Sequence, residues 1–237
     1  MLLLYVRHGD PIYDPDSLTP LGQRQAESIA HRLALYGVDR VYASTSIRAR
    51  ETARPTCEIL KKEPILLDFC HETHAWNQLA LDDGNGRRWA MDIPRFKRVF
   101  GTAEMFRLGM RWYEHPVCEG TTLREGIERI ARETDALMTS FGYEHDRERG
   151  VYIPTRPNDE RIALFAHQGF GLAFLSCLLD IPYPLMCTRF DMGHTGMTAI
   201  EFQPTEEFCI PRVLTLANDG HLYRDGLPTK YNNRLYF

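Results

Sequence analysis

The chain lacks several features that would settle its class at once. Its 237 residues contain no CxxC pair, and the six cysteines (Cys57, Cys70, Cys118, Cys177, Cys187 and Cys209) are too scattered for a disulfide scaffold. Reduced, buried thiols in a cytoplasmic protein are therefore expected. No run approaches the length needed to span a bilayer, and the apolar start is too short for a signal-peptide core and has no basic region before it. Absence of both signals points to the cytoplasm, with no membrane partner expected. A formal net charge of −4 argues against nucleic acid as a partner, since that surface demands a basic domain. Internal repeats and low-complexity tracts are absent as well. The 43% hydrophobic and 25% charged residues belong to an ordinary globular chain that is long enough to bury a substantial core.

Most informative is the beginning, where Leu2-Leu3-Leu4-Tyr5-Val6 ends abruptly in Arg7-His8-Gly9-Asp10. A short run that is apolar throughout reads as a strand buried on both faces of an α/β sheet. Ligands of open α/β sheets bind outside the carboxyl ends of the strands, so Arg7 and His8 leave the strand at the useful edge. Gly9 lets the backbone turn and approach a ligand closely. Residues 10–18 read as a loop, and Thr19-Pro20 as the N-cap and first position of a helix ending near Gly37. A strand over 40–43 then leads through Ser44 into a helix over about 47–61, with a kink or break expected at Pro55.

Ile65 to Leu67 is a third strand, with Cys70-His71-Glu72-Thr73-His74 in a strand-to-loop context. From 75 to 118 the periodicity is poor and the segment reads as a small, mainly helical insertion within one domain spanning 1–237. Thr122-x-x-Glu125 has the form of a capping box before a helix over about 122–141. Residues 143–159 are charged and proline-bearing, which suggests a surface connection. Arg161 to Ala166 is the next strand, followed by His167-Gln168-Gly169 and a helix to Leu179. Two more strands are expected over 196–202 and 212–217. Alternation of strands and helices predicts a three-layer α/β/α sandwich with a largely parallel central sheet.

Three strand ends thus carry Arg7-His8-Gly9, Ser44 to Arg48, and His167-Gln168-Gly169. In this set the chain resembles the histidine phosphatase superfamily, which includes the cofactor-dependent phosphoglycerate mutases. The resemblance implies that His8 takes up the phosphoryl group, that Arg7, Arg48 and His167 line the phosphate pocket, and that Glu72 is the general acid, with Asp10 as its rival. Guanidinium groups suit the task because they offer planar, charge-assisted forks to phosphate oxygens. A protonated His167 would add a donor. Gly9, Ser44, Gln23 and Gln168 are further candidates around the substrate, although Ser44 and Gln23 are equally suited to structural roles. Arg50 reads as a solvated helix residue and His194 as a satisfied surface histidine. His71, Glu72 and His74 lack the spacing of an HExxH zinc helix, so neither a metal nor another cofactor is expected.

Between Gly84 and Tyr113 lie seven basic residues, including Arg87 and Arg88, against two acidic ones, with six aromatic residues interleaved. Either a lid whose cations hold the substrate or a helical cap with its own aromatic core would have this composition. The expected activity is a phosphomonoesterase acting on a small phosphorylated metabolite. A phosphoglycerate-type mutase is the first alternative, disfavoured because Asp10-Pro11 follows Arg7-His8-Gly9 where such mutases have Glu-Ser. A non-catalytic phospho-ligand or protein-binding module is the second. The aromatic tail Tyr231 to Phe237 could serve as a homodimer contact.

Overall fold

A computed structural model describes residues 1–229, so the aromatic tail proposed as a dimer contact lies outside the described residues. These residues divide into two compact units. One comprises Met1–His71, Pro157–Gln168 and Asp191 onward, and the other Glu72–Arg156 with Gly169–Phe190. Segment 75–118 accordingly shares its unit with residues 119–156 and 169–190.

The first unit is built on a six-stranded, mostly parallel sheet. Its strands are β1 (Leu2–Arg7), β2 (Arg40–Ser44), β3 (Ile65–Leu67), β4 (Arg161–Ala166), β5 (Met197–Glu201) and β6 (Arg212–Asn218), in the spatial order β6-β5-β1-β4-β2-β3. Parallel pairing links β1, β4, β2 and β3, while β5 and β6 are antiparallel. Leu4 and Val6, Val41 and Ala43, Ala163 and Phe165 lie on one face by the two-residue alternation of strands. Against them pack Ile29 and Leu33 of helix α1 (Pro20–Tyr36) and Ala53 and Cys57 of helix α2 (Ile47–Leu60). Ile29 and Leu33 are fully buried, which stabilises the unit by about 2 kcal/mol for each side chain.

Local chemistry sets the helix ends. Thr19 Oγ1 accepts from Gly22 N–H at 3.0 Å, Pro20 occupies the first turn, and α1 closes at Gly37 in the left-handed region (φ 72°). Ser46 caps α2 by accepting from Ala49 N–H. Of the kink or break expected at Pro55, the break does not occur: α2 continues to Leu60, forgoing one main-chain bond while Ala53 and Cys57 hold its apolar stripe on the sheet. Residues 11–18, expected as loop, form a short hairpin of Pro11–Tyr13 with Asp16–Leu18.

In the second unit, three further expectations are corrected. Glu72 opens helix α3 (Glu72–Leu79) directly after a 3-10 turn at Asp68–Cys70, so Glu72 and His74 are helical and not in a strand-to-loop segment. Helix α4 (Leu123–Ser140) has no capping box, because the Thr122 hydroxyl donates to Gln78 O at 2.7 Å instead. Residues 143–154 are not a bare connection but a hairpin, Tyr143–Asp146 with Val151–Pro154, in which Tyr143 and Tyr152 are buried. The hairpin is anchored by Tyr152 O–H donating to Leu178 O at the end of helix α5 (Gln168–Leu179). Its His145 stacks on Tyr152 and lies 2.9 Å from both Asp135 and Asp180. Burial opposes the charged ring, yet the bonds to the two carboxylates outweigh it and raise the His145 pKa.

Segment 80–118 owes its poor periodicity to brevity. It contains the hairpin Ala80–Asp82 with Arg87–Trp89, the helices Pro94–Phe100 and Ala103–Leu108, and short 3-10 turns. Phe96, Phe100 and Trp112 are fully buried and meet edge to face in turn, and the Trp112 ring lies tilted against Tyr183. These contacts favour the cap with its own aromatic core. All six cysteines are buried and free. Among the described residues, no helix is long and apolar enough to cross a membrane.

Candidate active site

Because β1, β4 and β2 are parallel neighbours, their carboxyl ends lie side by side. Arg7 stands opposite Ala166 and Phe165 opposite Ala43, so the chain delivers His8, His167 and Ser44 to one edge of the sheet. His8 N–H donates to Ala166 O at 2.9 Å, and the His8 and His167 rings meet edge to face with centroids 5.3 Å apart. That separation is close to the spacing of adjacent strands, roughly 4.8 Å.

His8 is buried, and its Nδ1 lies 2.7 Å from Gly9 O. A carbonyl only accepts, so Nδ1 carries the proton and Nε2 keeps its lone pair. Burial, then His167 and Arg7, hold the His8 pKa well below that of an ordinary histidine, leaving the ring neutral near pH 7.

Arg48, from the first turn of α2, pairs with Asp16 at 2.8 Å and reaches His167 Nδ1 at 3.2 Å, with Tyr13 under its guanidinium. Arginine has only donors, so His167 Nδ1 accepts and its Nε2–H donates to Ser44 Oγ at 2.8 Å. His167 is thus neutral, not the protonated donor expected from the sequence. Burial lowers its pKa first, followed by the charges of Arg48, His71 and Arg7. The buried Nε of Arg48 has no partner among the described residues.

Arg7 is held by the loop 191–196. One Nη donates to Met192 O and the other to His194 Nε2 at 3.0 Å. His194 is therefore not a surface residue. Its ring lies 5.8 Å from that of His8, and its Nδ1 lies 3.4 Å from Asp10 Oδ1. Asp10 also accepts from the Thr19 hydroxyl at 2.8 Å. Gln168 donates to Asp191 Oδ1 at 2.6 Å at the start of the same loop.

Gly9 is confined by backbone. A Cβ on it would meet Gly22 O at 2.7 Å, and a Cβ on Gly22 would meet Asp10 O at 2.2 Å. Gly22→Ala should therefore force the 9–10 turn away from α1, costing about 1–3 kcal/mol and lowering Tm by roughly 3–10 °C in a thermal melt. An unchanged Tm would contradict this packing.

The remaining candidates sit on helices α1, α2 and α3 and on the strand Arg87–Trp89. Gln23 is exposed on α1, whereas Gln25 is buried and accepts from Asp10 N–H at 2.8 Å. Arg50 is exposed, as expected. Glu72, Arg87 and Arg88 belong to the second unit. There Glu72 Oε1 accepts from Phe170 N–H at 2.9 Å at the amino end of α5, a position that favours a carboxylate. Arg87 donates to Asn77 O at 2.6 Å and Arg88 is ion-paired with Asp83, so both brace their hairpin and neither is the free cation that a charged lid would present.

Three contributors went unnoticed in the sequence. Thr52 accepts from Gly9 N–H at 2.9 Å, and its position four residues after Arg48 on one helix face was the available signal. Tyr5 O–H donates to His167 O at 2.6 Å, as a tyrosine inside a buried strand must find a partner. Gln25 offered no signal beyond lying on the buried side of α1.

The protein is thus a mixed α/β one whose mostly parallel sheet gathers Arg7, His8, Arg48 and His167 at its carboxyl edge. The chain belongs to the histidine phosphatase superfamily (branch 1), whose family model matches residues 3–212. Similar solved structures include a phosphoserine phosphatase of Entamoeba histolytica in complex with 3-phosphoglyceric acid (18% identity, 93% of this chain and 98% of that one, TM-score 0.59). A mycobacterial hydrolase (20%, 92% and 98%, TM-score 0.60) and a mycobacterial glucosyl-3-phosphoglycerate phosphatase with VO3 (21%, 90% and 97%, TM-score 0.59) are similar to the same extent. At such identities the likeness carries the fold alone. No curated protein sequence matches the chain.

Proposed function

We propose that the protein is a cytoplasmic phosphomonoesterase that hydrolyses a small phosphorylated metabolite through a phosphohistidine at His8. The observation that carries this reading is the tautomer of His8. With Nδ1–H bonded to Gly9 O and the ring neutral, the Nε2 lone pair is the available nucleophile. Arg7 and Arg48 supply the charge that phosphate oxygens require, and neutral His167, whose Nε2–H donates to Ser44, steadies the Arg48 guanidinium by accepting at Nδ1. In the first step the Nε2–P bond forms as the ester P–O bond breaks, and Glu72 protonates the departing alkoxide. Water then attacks phosphorus, gives its proton to Glu72, and His8 leaves with its electron pair.

Hydrolysis is preferred to mutase chemistry because Asp10-Pro11 replaces the Glu-Ser that follows the motif in mutases. Asp10 is the weaker candidate for the acid, since its carboxylate is engaged by Thr19 and lies beside His194.

Glu72→Gln tests the acid. It should slow an alkyl phosphate, whose leaving group needs a proton, by about 10²–10⁴-fold, and p-nitrophenyl phosphate far less. Equal losses on both esters would remove Glu72 from that role, and no loss on either would restore Asp10.

A further inference from the structure

We propose that His221 is a positioning residue that, through Thr195, holds Arg7 and His8 in place for phosphoryl transfer. The inference rests on the function proposed above and concerns a residue outside the 3–212 segment matched by the family.

Thr195 is the central link. Fully buried and β-branched, it sits at φ 53° in the left-handed region, where such a side chain is strained. Conformations of this kind persist only where the surroundings over-determine them. Its N–H is shared between Arg7 O (3.1 Å) and His8 O (3.3 Å), and Arg7 N–H returns a bond to Gly196 O at 3.3 Å. The turn therefore clamps the main chain of the two residues nearest the reaction. It also sets the preceding residue, His194, against the Arg7 guanidinium.

What holds the Thr195 side chain is His221. The hydroxyl donates to His194 O at 2.8 Å, which spends its only proton, so the 3.0 Å contact with His221 Nε2 is an imidazole N–H donating to Oγ1. Nδ1 of His221 has no partner among the described residues, consistent with a neutral ring bearing its proton on Nε2. Burial, with Arg32 next, pushes its pKa down to about 4. Position is secured from behind: the short helix Gly220–Arg224 is tied to α1 by Ser28, whose single hydroxyl proton is shared between Asp225 Oδ2 (2.6 Å) and His221 O (3.0 Å). A continuous path of bonds thus runs from α1 through His221 and Thr195 to Arg7 and His8.

The test compares His221→Leu, His221→Gln, Thr195→Val and the Leu/Val double variant of the full chain, with p-nitrophenyl phosphate as substrate. His221→Leu should lower kcat about tenfold while KM moves less than about threefold, because small displacements of reacting groups act on the chemical step. Gln, which can place an N–H near the position of Nε2, should restore most of the loss. The double variant should be no slower than Thr195→Val alone, since His221 acts through that hydroxyl. Unchanged kcat in His221→Leu, or losses that multiply in the double variant, would overturn the proposal. If His221→Leu does not fold, Thr195→Val decides: a kcat about tenfold lower supports the proposal and an unchanged one refutes it. Binding of inorganic phosphate, followed by the ¹⁵N shift of the His8 ring, separates this inference from the hydrolytic reading. A wild type that binds phosphate but cleaves no ester would sink the latter, and the inference would then be judged by the His8 ¹⁵N shift on phosphate binding, which His221→Leu should alter and whose constancy would refute it.

Discussion

Replacing His8 by alanine is expected to slow phosphate release from p-nitrophenyl phosphate by roughly 10⁴-fold or more, and to abolish the acid-labile phosphoprotein seen on rapid quench. The size of the effect follows from the roles left vacant. Arg7 and Arg48 would remain to bind phosphate, so affinity for inorganic phosphate should change little, yet no other ring nitrogen shares the environment of His8 Nε2. His167 cannot substitute, because its Nδ1 is occupied by Arg48 and its Nε2 by Ser44. The pH dependence has a definite sign. His8 is inactive when protonated, and burial with the neighbouring His167 and Arg7 lowers its pKa well below 6.5. The acidic fall in kcat/KM that His8 causes should therefore lie well below pH 6.5 instead of near it. An alanine variant within tenfold of wild type, or a phosphoprotein that persists without His8, would end the phosphohistidine account.

Arg48→Lys should be almost as revealing, because it keeps the charge and changes only its shape. A loss of about 10²–10³-fold in kcat/KM is expected, the range for removing one preorganised donor from a charged transition state. Arg48 bonds Asp16 with one Nη and His167 with the other, while lying over the ring of Tyr13. A lysine ammonium is a compact point charge and cannot keep that fork. Arg48→Ala should lose more and should also let the His167 pKa rise, since Arg48 is the largest of the charges that lower it. A ¹⁵N titration of the histidine rings would read that shift. Lysine activity within threefold of wild type would mean that charge alone suffices.

Much of the fold was legible before any coordinates, for identifiable reasons. β1 and β4 are near-continuous apolar runs, and α1 carries Thr19, Pro20 and Gly37 at its ends, so local pattern and turn chemistry agree. The hairpin 143–154 escaped because Glu144, Asp146 and the charged turn mask Tyr143 and Tyr152, which are buried only through tertiary contact. Thr122 satisfied a capping pattern and then gave its hydroxyl to Gln78, a partner 44 residues away that no local rule could supply. Arg87 and Arg88 looked like free cations because their partners, a helix-end carbonyl and Asp83, are known only once the hairpin has formed.

Residue order alone determined which side chains stand at strand ends: Arg7 and His8 after one apolar run, His167 after another, and Arg48 a few positions past a third. It also determined that they are of the types that bind and attack phosphate. Only the tertiary structure decided how they act. The 1-4-2 order of parallel strands sets the two imidazoles side by side, a bond from Arg48 makes His167 a neutral acceptor, and the loop 191–196 brings His194 onto Arg7. Protonation states and tautomers depend on burial and on neighbours far apart in the chain, and those are created by folding.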